Sequence, residues 1–126
     1  MAMGPKIDSH LVLGSNGATV AVTGPTGGWD DYQQSATFAV VIGQAQDEEI
    51  VLAVGEGSAN QGAATWKATA TVVGSGKLKV GWAYGWAIVS VESKTAAGAE
   101  WYEPYDWSVN TWLVPGPPPK PAARRR

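Results

Sequence analysis

The sequence predicts an all-β protein, an antiparallel β-sandwich of the immunoglobulin-like kind, on three observations. Short segments in which apolar and polar residues alternate recur along the chain, as in strands with one buried face. These segments are separated by turn residues, which the 16 glycines and 8 prolines supply in quantity. No segment of convincing length has the 3.6-residue periodicity of an amphipathic helix. A jelly roll or a small barrel is the alternative arrangement of the same strands.

The expected strands begin after a short N-terminal segment and are separated by turns. The Asn16-Gly17 pair predicts a hairpin between the first two strands, because Asn-Gly readily adopts the backbone angles of a tight turn. Residues 64–73 give the clearest alternation, with Trp66 among the apolar positions of one face and threonine and lysine on the other. The strands are expected at residues 10–13, 18–23, 36–43, 49–54, 64–73, 77–91 and 108–114.

Three parts of the chain differ in composition. Residues 1–8 are expected to form an N-terminal arm, residues 9–114 the β-sandwich domain, and residues 115–126 a proline-rich, basic C-terminal tail. Residues 1–119 carry 5 basic and 11 acidic side chains, whereas the last seven residues carry 4 basic and no acidic side chains. The sequence therefore predicts an acidic body whose tail contacts an anionic partner through Lys120, Arg124, Arg125 and Arg126.

The segment from Lys77 to Glu92 has the most unusual pattern of the chain. Trp82, Tyr84 and Trp86 occupy alternate positions, so that a strand places all three on one face. The residues between them are glycine and alanine, which leaves the other face nearly bare. The aromatic face is therefore either part of the core or a binding platform, and the pattern leaves both interpretations open.

A change of parity within the same segment favours a bend. The large residues are even-numbered from Leu78 to Ile88, whereas the apolar residues Val89 and Val91 are odd-numbered. A β-bulge or a bend near Gly85 would restore a single buried face. On this interpretation Val80 and Trp82 lie in the core, and Trp86 covers an edge or meets a partner.

The residue types that usually carry chemistry are scarce or isolated. The chain has no cysteine and a single histidine, His10, so no zinc site is expected and no metal or cofactor is predicted. No serine lies in a GxSxG elbow, and no glycine-rich segment has the spacing of a phosphate loop. The acidic clusters lack the alternating spacing of a calcium loop. A glycosidase that uses Glu103 and Asp106, which lie among aromatic residues, is the remaining enzymatic alternative.

Aromatic residues are the other unusual feature of the sequence. Seven tryptophans exceed what the core of a small sandwich holds, so some of them are expected on a surface that another molecule covers. The alternative is that some are core and that the segment around Pro104 folds over one end of the domain as a lid. The predicted interaction surface comprises Trp86, Trp101, Tyr102, Tyr105, Trp107 and Trp112.

The N-terminal residues and the apolar runs bear on location. Residues 1–10 contain no apolar h-region, so no secretory signal is expected. No apolar run approaches the ~18 residues that a membrane-spanning helix needs. We therefore expect a soluble protein that makes no contact with a membrane.

These features together resemble the accessory virion proteins of tailed phages, in particular the capsid decoration (cement) proteins. The resemblance rests on a small cysteine-free β-sandwich from Ile7 to Val114, rich in glycine, alanine, valine and tryptophan, and on the final segment PGPPPKPAARRR as an arm. The composition and the arginine-rich end are similar to those of proteins from a high-GC, actinobacterial host. The resemblance implies a virion location, a major capsid protein or another virion protein as partner, a homo-oligomer, and no catalysis.

We therefore predict a non-enzymatic structural or binding protein, namely a capsid decoration protein or a minor capsid or tail protein. It would stabilise the particle through its aromatic surface and its terminal arms. Nucleic-acid binding is not expected, because four tail charges provide only a few phosphate contacts. The alternative function is a carbohydrate-binding module whose stacking platforms are Trp82, Trp86, Trp101, Tyr102, Tyr105 and Trp107.

Overall fold

The computed structural model describes residues 3–14 and 16–116, which form seven β-strands and contain no helix. The all-β prediction is therefore confirmed. The tail residues predicted to contact a partner, Lys120, Arg124, Arg125 and Arg126, lie outside the described residues. The strands are β1 (His10–Leu13), β2 (Thr19–Pro25), β3 (Gln33–Gln46), β4 (Glu49–Asn60), β5 (Thr65–Val72), β6 (Gly81–Lys94) and β7 (Glu100–Val114).

The seven strands form one closed barrel in the order β1-β2-β5-β4-β3-β6-β7. Neighbouring strands are antiparallel except β1 and β7, which run parallel and close the barrel through residues 10–12 and 112–114. A sandwich needs two separate sheets, whereas the short strand β1 joins the first part of this sheet to its last strand. The structure thus corrects the predicted antiparallel, immunoglobulin-like sandwich and supports the small-barrel alternative.

Hairpins connect most of the strands. β3 and β4 are joined by a two-residue turn in which Asp47 has a φ of 45°, a left-handed value that aspartate adopts more readily than most residues. β6 and β7 pair without interruption over the whole length of β6. The hairpin predicted at Asn16-Gly17 is confirmed, because β1 and β2 are antiparallel neighbours and Gly17 has a φ of 72°.

The barrel interior is filled by side chains that alternate with exposed ones along the strands. Phe38 and Trp66 stack in this core, with ring centroids 4.4 Å apart and ring planes inclined by 6°. The indole Nε1 of Trp66 donates a hydrogen bond of 2.9 Å to the carbonyl oxygen of Lys6, which satisfies the polar group of a side chain that is 2% exposed. The alternation predicted for residues 64–73 is therefore confirmed.

The face of β6 that points into the core is the opposite of the one expected. Val89 is 1% exposed, whereas Val80 and Trp82 are 53% and 66% exposed. The odd-numbered residues face inward along the whole strand, and the pairing with β3 and β7 contains no bulge near Gly85. The interior is filled there, since a Cβ added at Gly85 would lie 3.3 Å from Cδ1 of Ile42 on the neighbouring strand and 3.3 Å from Cδ1 of Ile7. The expectation that Val80 and Trp82 lie in the core is therefore wrong.

The described part of the predicted N-terminal arm, residues 3–8, lies along the end of β2. Three of its backbone amides donate hydrogen bonds of 2.9, 3.2 and 2.9 Å to carbonyl oxygens in residues 23–26. Met3 and Ile7 are 3% and 5% exposed and pack in the core. This segment is therefore an integral part of the folded domain.

Candidate interaction surface

The outside of the barrel carries a contiguous apolar patch on β3, β4 and β6, which we call the outer apolar face. Its residues lie in rows across hydrogen-bonded strands, about 5 Å apart from one strand to the next. One row joins β4, β3 and β6 through Val54, Val41 and Trp86. The next row, two residues along each strand, joins Leu52, Gly43 and Tyr84. The face comprises Val41, Gly43, Leu52, Val54, Trp82, Tyr84, Trp86 and Ile88.

The side chains of the outer apolar face are large and exposed. Trp82, Tyr84 and Trp86 are 66%, 50% and 40% exposed, and Leu52, Val54 and Ile88 are 44–45% exposed. At ~200 Å² for each aromatic side chain, the three aromatic residues alone expose about 300 Å². With the aliphatic residues added, the face lies at the upper end of the contiguous apolar area that a monomeric protein exposes.

Among the described residues, charged side chains border the face at its two ends along the strands and are absent from its two central rows. On one side, the row that contains Ile88 has Glu56 on β4 and Asp106 on β7. On the other side, Lys79 and Trp82 line a shallow cleft of about 350 Å³. An uncharged apolar centre with a charged border has the composition of a protein–protein interface.

An aromatic pair fixes one corner of the outer apolar face. Trp82 on β6 and Trp112 on β7 are cross-strand neighbours, and their rings meet edge to face with centroids 5.1 Å apart and planes at 89°. Such a pair is worth about 0.5–1.5 kcal/mol beyond the burial of its area. This contact favours one orientation of the exposed Trp82 ring.

The structure divides the six residues of the predicted interaction surface between the two faces of the sheet. The alternation along β6 and β7 separates them, because residues of opposite parity point to opposite sides of a strand. Those that face outward are Trp86, Tyr102 and Trp112, and those that face the inner side are Trp101, Tyr105 and Trp107.

Only part of the outward set lies together. Trp86 and Trp112 are near one end of the barrel, whereas Tyr102 pairs with Glu92 at the other end of β6. The distance along the strand from Trp86 to Glu92 is roughly 20 Å at 3.4 Å per residue. Trp86 and Trp112 therefore belong to the region of the outer apolar face, and Tyr102 does not.

Leu52, Val54 and Tyr84 belong to the outer apolar face but not to the interaction surface predicted from the sequence. In β4 the residues of both parities near Leu52 are apolar, and Val51 and Ala53 are the buried ones. The alternation alone does not tell which parity faces the core. In β4 the inward residues are the smaller ones, whereas β5 turns the large Trp66 inward, so the inward face of a strand depends on the strands it pairs with.

A hydrogen-bonded cluster lies at one end of the barrel. The carboxylate of Glu103 accepts hydrogen bonds from the hydroxyls of Ser93, at 2.7 Å, and Tyr105, at 3.0 Å. The side-chain amide of Gln33 donates to the Tyr105 hydroxyl oxygen at 3.4 Å. Burial, as the main cause, and the hydrogen bond to Glu103, as the second, raise the pKa of Tyr105 above its ordinary value, so the phenol remains a hydrogen-bond donor to a higher pH than a free tyrosine does. The Glu103 side chain thus has a structural role in this cluster.

The glycosidase alternative finds little support in this geometry. Glu103 and Asp106 have opposite parity on β7, so their side chains point to opposite sides of the sheet. A carboxylate pair that cleaves a glycosidic bond must flank a common space. The two residues therefore do not form such a pair.

Metal binding and membrane insertion are two further possibilities for residues 3–14 and 16–116. That part of the chain contains no group of three His, Asp or Glu side chains able to hold a metal ion. It likewise has no helix with the length and apolar character needed to cross a membrane. Comparison of the chain with protein-family models, curated proteins and solved structures found no match.

Proposed function

We propose that the protein is a non-enzymatic structural protein that attaches to a neighbouring protein through its outer apolar face, as a component of a phage virion. The exposed aromatic and aliphatic side chains of that face carry the proposal. Burying them against a partner removes apolar surface from water, which is the main favourable term in protein association. Their place on paired strands keeps the loss of side-chain and backbone freedom on binding small.

The size of the face suits a specific contact. A standard interface buries about 800 Å² on each partner, with an apolar centre and a polar rim. The outer apolar face would supply the centre, and Glu56, Asp106 and Lys79 would lie in the rim. Tryptophan and tyrosine are also the residues that most often dominate binding energy at such contacts.

The virion part of the proposal rests on the resemblance to decoration proteins and on the charge distribution. The partner would be a major capsid protein or another virion protein. A basic tail on an acidic body offers a second contact in addition to the face. Linked contacts raise the effective concentration of one another, so two weak contacts hold a protein on a particle more firmly than either alone.

Two tryptophan variants test the role of the outer apolar face. Trp86 on the face and Trp101 on the inner side of β7 are 40% and 37% exposed, so replacing either by serine removes a similar exposed area. We expect Trp86→Ser to weaken binding to particles that lack the protein by about 30-fold, the equivalent of a 2 kcal/mol hot spot. We expect Trp101→Ser to bind like the wild type. Equal losses in both variants would refute the assignment of the face.

Carbohydrate binding is the second candidate, and one observation favours it. Trp82, Tyr84 and Trp86 stand on one strand face at intervals of about 6.8 Å, all exposed. Such a row offers stacking planes to successive sugar rings, and the cleft beside Trp82 adds polar groups from Gln46 and Asp47. Titration with soluble glycans, followed by tryptophan fluorescence, decides between the two candidates. Quenching that Trp82→Ala abolishes would favour the glycan; no change with any glycan would remove this candidate.

A further inference from the structure

One edge of β7 is open along most of its length. β7 pairs with β6 from Glu100 to Leu113, but on its other side it pairs only with β1, at residues 112–114. Within the described chain, residues 100–110 therefore have no strand on that side. Most of these residues are exposed, whereas almost every second residue of β6 is buried. An exposed edge of this kind presents unpaired backbone groups to other chains.

The backbone groups that point to the open edge belong to the even-numbered residues. The amide of Trp112 donates to the carbonyl oxygen of Ser9 at 2.8 Å, so the backbone of Trp112 faces away from β6. The pairing of β6 with β7 contains no bulge, so this alternation continues along the strand. The amides of Asp106, Ser108 and Asn110 accordingly point to the open edge. None of the three donates a backbone hydrogen bond elsewhere in the described residues.

Pro104 occupies the next even-numbered position. Proline has no amide hydrogen, and sheets accept it at an edge, where that hydrogen would have pointed away from the neighbouring strand. Its position agrees with the assignment of the open edge. It also limits that edge, because a strand that pairs opposite Pro104 finds no donor there. The usable edge therefore runs from Asp106 to Asn110.

We propose that this edge is a site of β-strand addition and that its occupant is β7 of a second copy of the chain, in antiparallel two-fold pairing. A two-fold contact uses the same edge of both copies, so one contact occupies both open edges and leaves none for a third copy. Backbone hydrogen bonds supply affinity in strand addition, and side chains on the edge select the partner. This dimer goes beyond the proposed function, because it uses the backbone edge of β7 and not the side chains at the centre of the outer apolar face, although Asp106 lies at the border of both.

Charge and available space restrict the register of the dimer. Pairing centred on Asp106 would place two carboxylates directly opposite each other, which is destabilising. Pairing centred on Asn110 would carry the second strand onto Trp112, which β1 already occupies. Pairing centred on Trp107 or Ser108 avoids both the opposed carboxylates and the overlap with β1, and it makes about six backbone hydrogen bonds. It also sets Asp106 opposite Ser108 or Asn110, whose side chains donate hydrogen bonds to a carboxylate.

An aromatic side chain gives the edge an apolar component. Trp107 is 36% exposed on the inner side of β7, with Nζ of Lys6 5.4 Å from the centroid of its ring. In the two allowed registers, Trp107 lies opposite either the second Trp107 or Val109. Aromatic–aromatic and aromatic–β-branched pairs across strands are both favourable. The dimer would therefore cover the exposed part of this tryptophan.

A pair of variants at one position tests the dimer. Ser108→Pro removes the central edge amide and places a ring in the path of the second strand, but it leaves the hydrogen bonds from β7 to β6 in place. Ser108→Ala keeps the amide and serves as the control. In sedimentation velocity over a concentration series, we expect wild type and Ser108→Ala to dimerise alike and Ser108→Pro to dimerise at least about ten-fold more weakly. A wild type that stays monomeric at every concentration, or a Ser108→Pro protein that dimerises normally, overturns the proposal.

Hydrogen exchange on the wild-type protein tests the same edge without a variant. We expect the amides of Asp106, Ser108 and Asn110 to gain protection as the protein concentration rises, and those of Trp107 and Val109 to be protected throughout by β6. Edge amides that exchange equally fast at all concentrations overturn the assignment. The Trp86→Ser protein separates this proposal from the proposed function, because its loss of particle binding would leave the β7 dimer intact.

Discussion

The contact between β4 and β5 makes a single added methyl group costly at Gly55. Gly55 pairs with Ala70, and the two strands approach so closely that a Cβ on Gly55 would lie 2.7 Å from the carbonyl carbon of Thr69 and 2.9 Å from Cα of Ala70. It would also overlap the carbonyl oxygen of Thr69. All three obstructing atoms belong to the backbone, so no side chain can rotate to make room.

The cost of Gly55→Ala follows from two opposing effects. Forcing an extra carbon into a packed region typically destabilises by about 1–3 kcal/mol, and a backbone obstruction places this site at the upper end. Replacing glycine also lowers the entropy of the unfolded chain, which offsets about 0.4–1 kcal/mol. We therefore expect a net loss of about 2 kcal/mol in the free energy of unfolding.

Gly85→Ala provides a matched control in the same barrel. There the added Cβ would meet only the ends of two isoleucine side chains, Ile42 and Ile7, each at 3.3 Å. These side chains can shift by a few tenths of an ångström, and the entropic gain offsets the small cost. We expect the change in the free energy of unfolding to stay within about 1 kcal/mol.

Urea denaturation followed by tryptophan fluorescence measures both changes. With a slope of about 1–3 kcal/mol per M, Gly55→Ala should lower the midpoint by about 1 M and Gly85→Ala should leave it nearly unchanged. Equal midpoints for the two variants would show that β4 and β5 do not approach as closely as the barrel requires.

Three further predictions concern the end cluster, the tail and the core. Tyr105→Phe removes the hydroxyl that donates to Glu103 and should destabilise the protein by about 1–2 kcal/mol at neutral pH. The pKa of Tyr105 is raised in the folded state, so the stabilising contribution of its hydroxyl is complete below the ordinary pKa of 10.0 and is lost as the pH rises through the folded pKa. The difference in urea midpoint between wild type and Tyr105→Phe should therefore narrow above pH 10. A difference that stays constant at high pH would contradict this. Deletion of residues 115–126 should lower occupancy on the parent particle without lowering the unfolding temperature, and unchanged occupancy would remove the tail from the proposal. Phe38→Ala should cost about 3–5 kcal/mol in urea denaturation, because it opens a cavity beside the stacked ring of Trp66, and a loss below about 1 kcal/mol would speak against that stack.

The strands could be predicted from the sequence, but the closure of the barrel could not. Alternation and turn residues locate strands because they depend on local backbone geometry. Closure depends on the parallel pairing of β1 with the end of β7, which are about 100 residues apart in the chain. Nothing local in His10–Leu13 distinguishes a strand that closes a barrel from one at the edge of a sandwich. The start of β7 was also mispredicted, because Pro104 indicated a loop and the strand was expected only at residues 108–114. Pro104 lies instead within β7, at an open edge where a strand accepts proline.

The parity of β6 shows why the candidate surface was only partly predictable. Large apolar residues usually face a core, so Trp82 was expected inside and a bend was needed to accommodate Val89. The odd-numbered positions are in fact small or aliphatic without interruption from Gly81 to Val91, which is consistent with one straight inward face. The interior beside β6 leaves no room for tryptophan, because Ile42 of the neighbouring strand and Ile7 already fill the space around Gly85, whereas the part of the core beside β5 holds Trp66.

The same geometry gives a reason to regard the outer apolar face as functional. A filled interior explains why the aromatic residues of β6 cannot point inward, but it does not explain why they are aromatic. Threonine would satisfy the preferences of an outward strand position equally well, and β5 uses it at Thr65, Thr69 and Thr71. Exposed tryptophan on β6 adds nothing to the core and increases the tendency to aggregate. The difference between the outward residues of β5 and β6 is the one that the proposed contact requires, in which a partner covers β6 and leaves β5 in water.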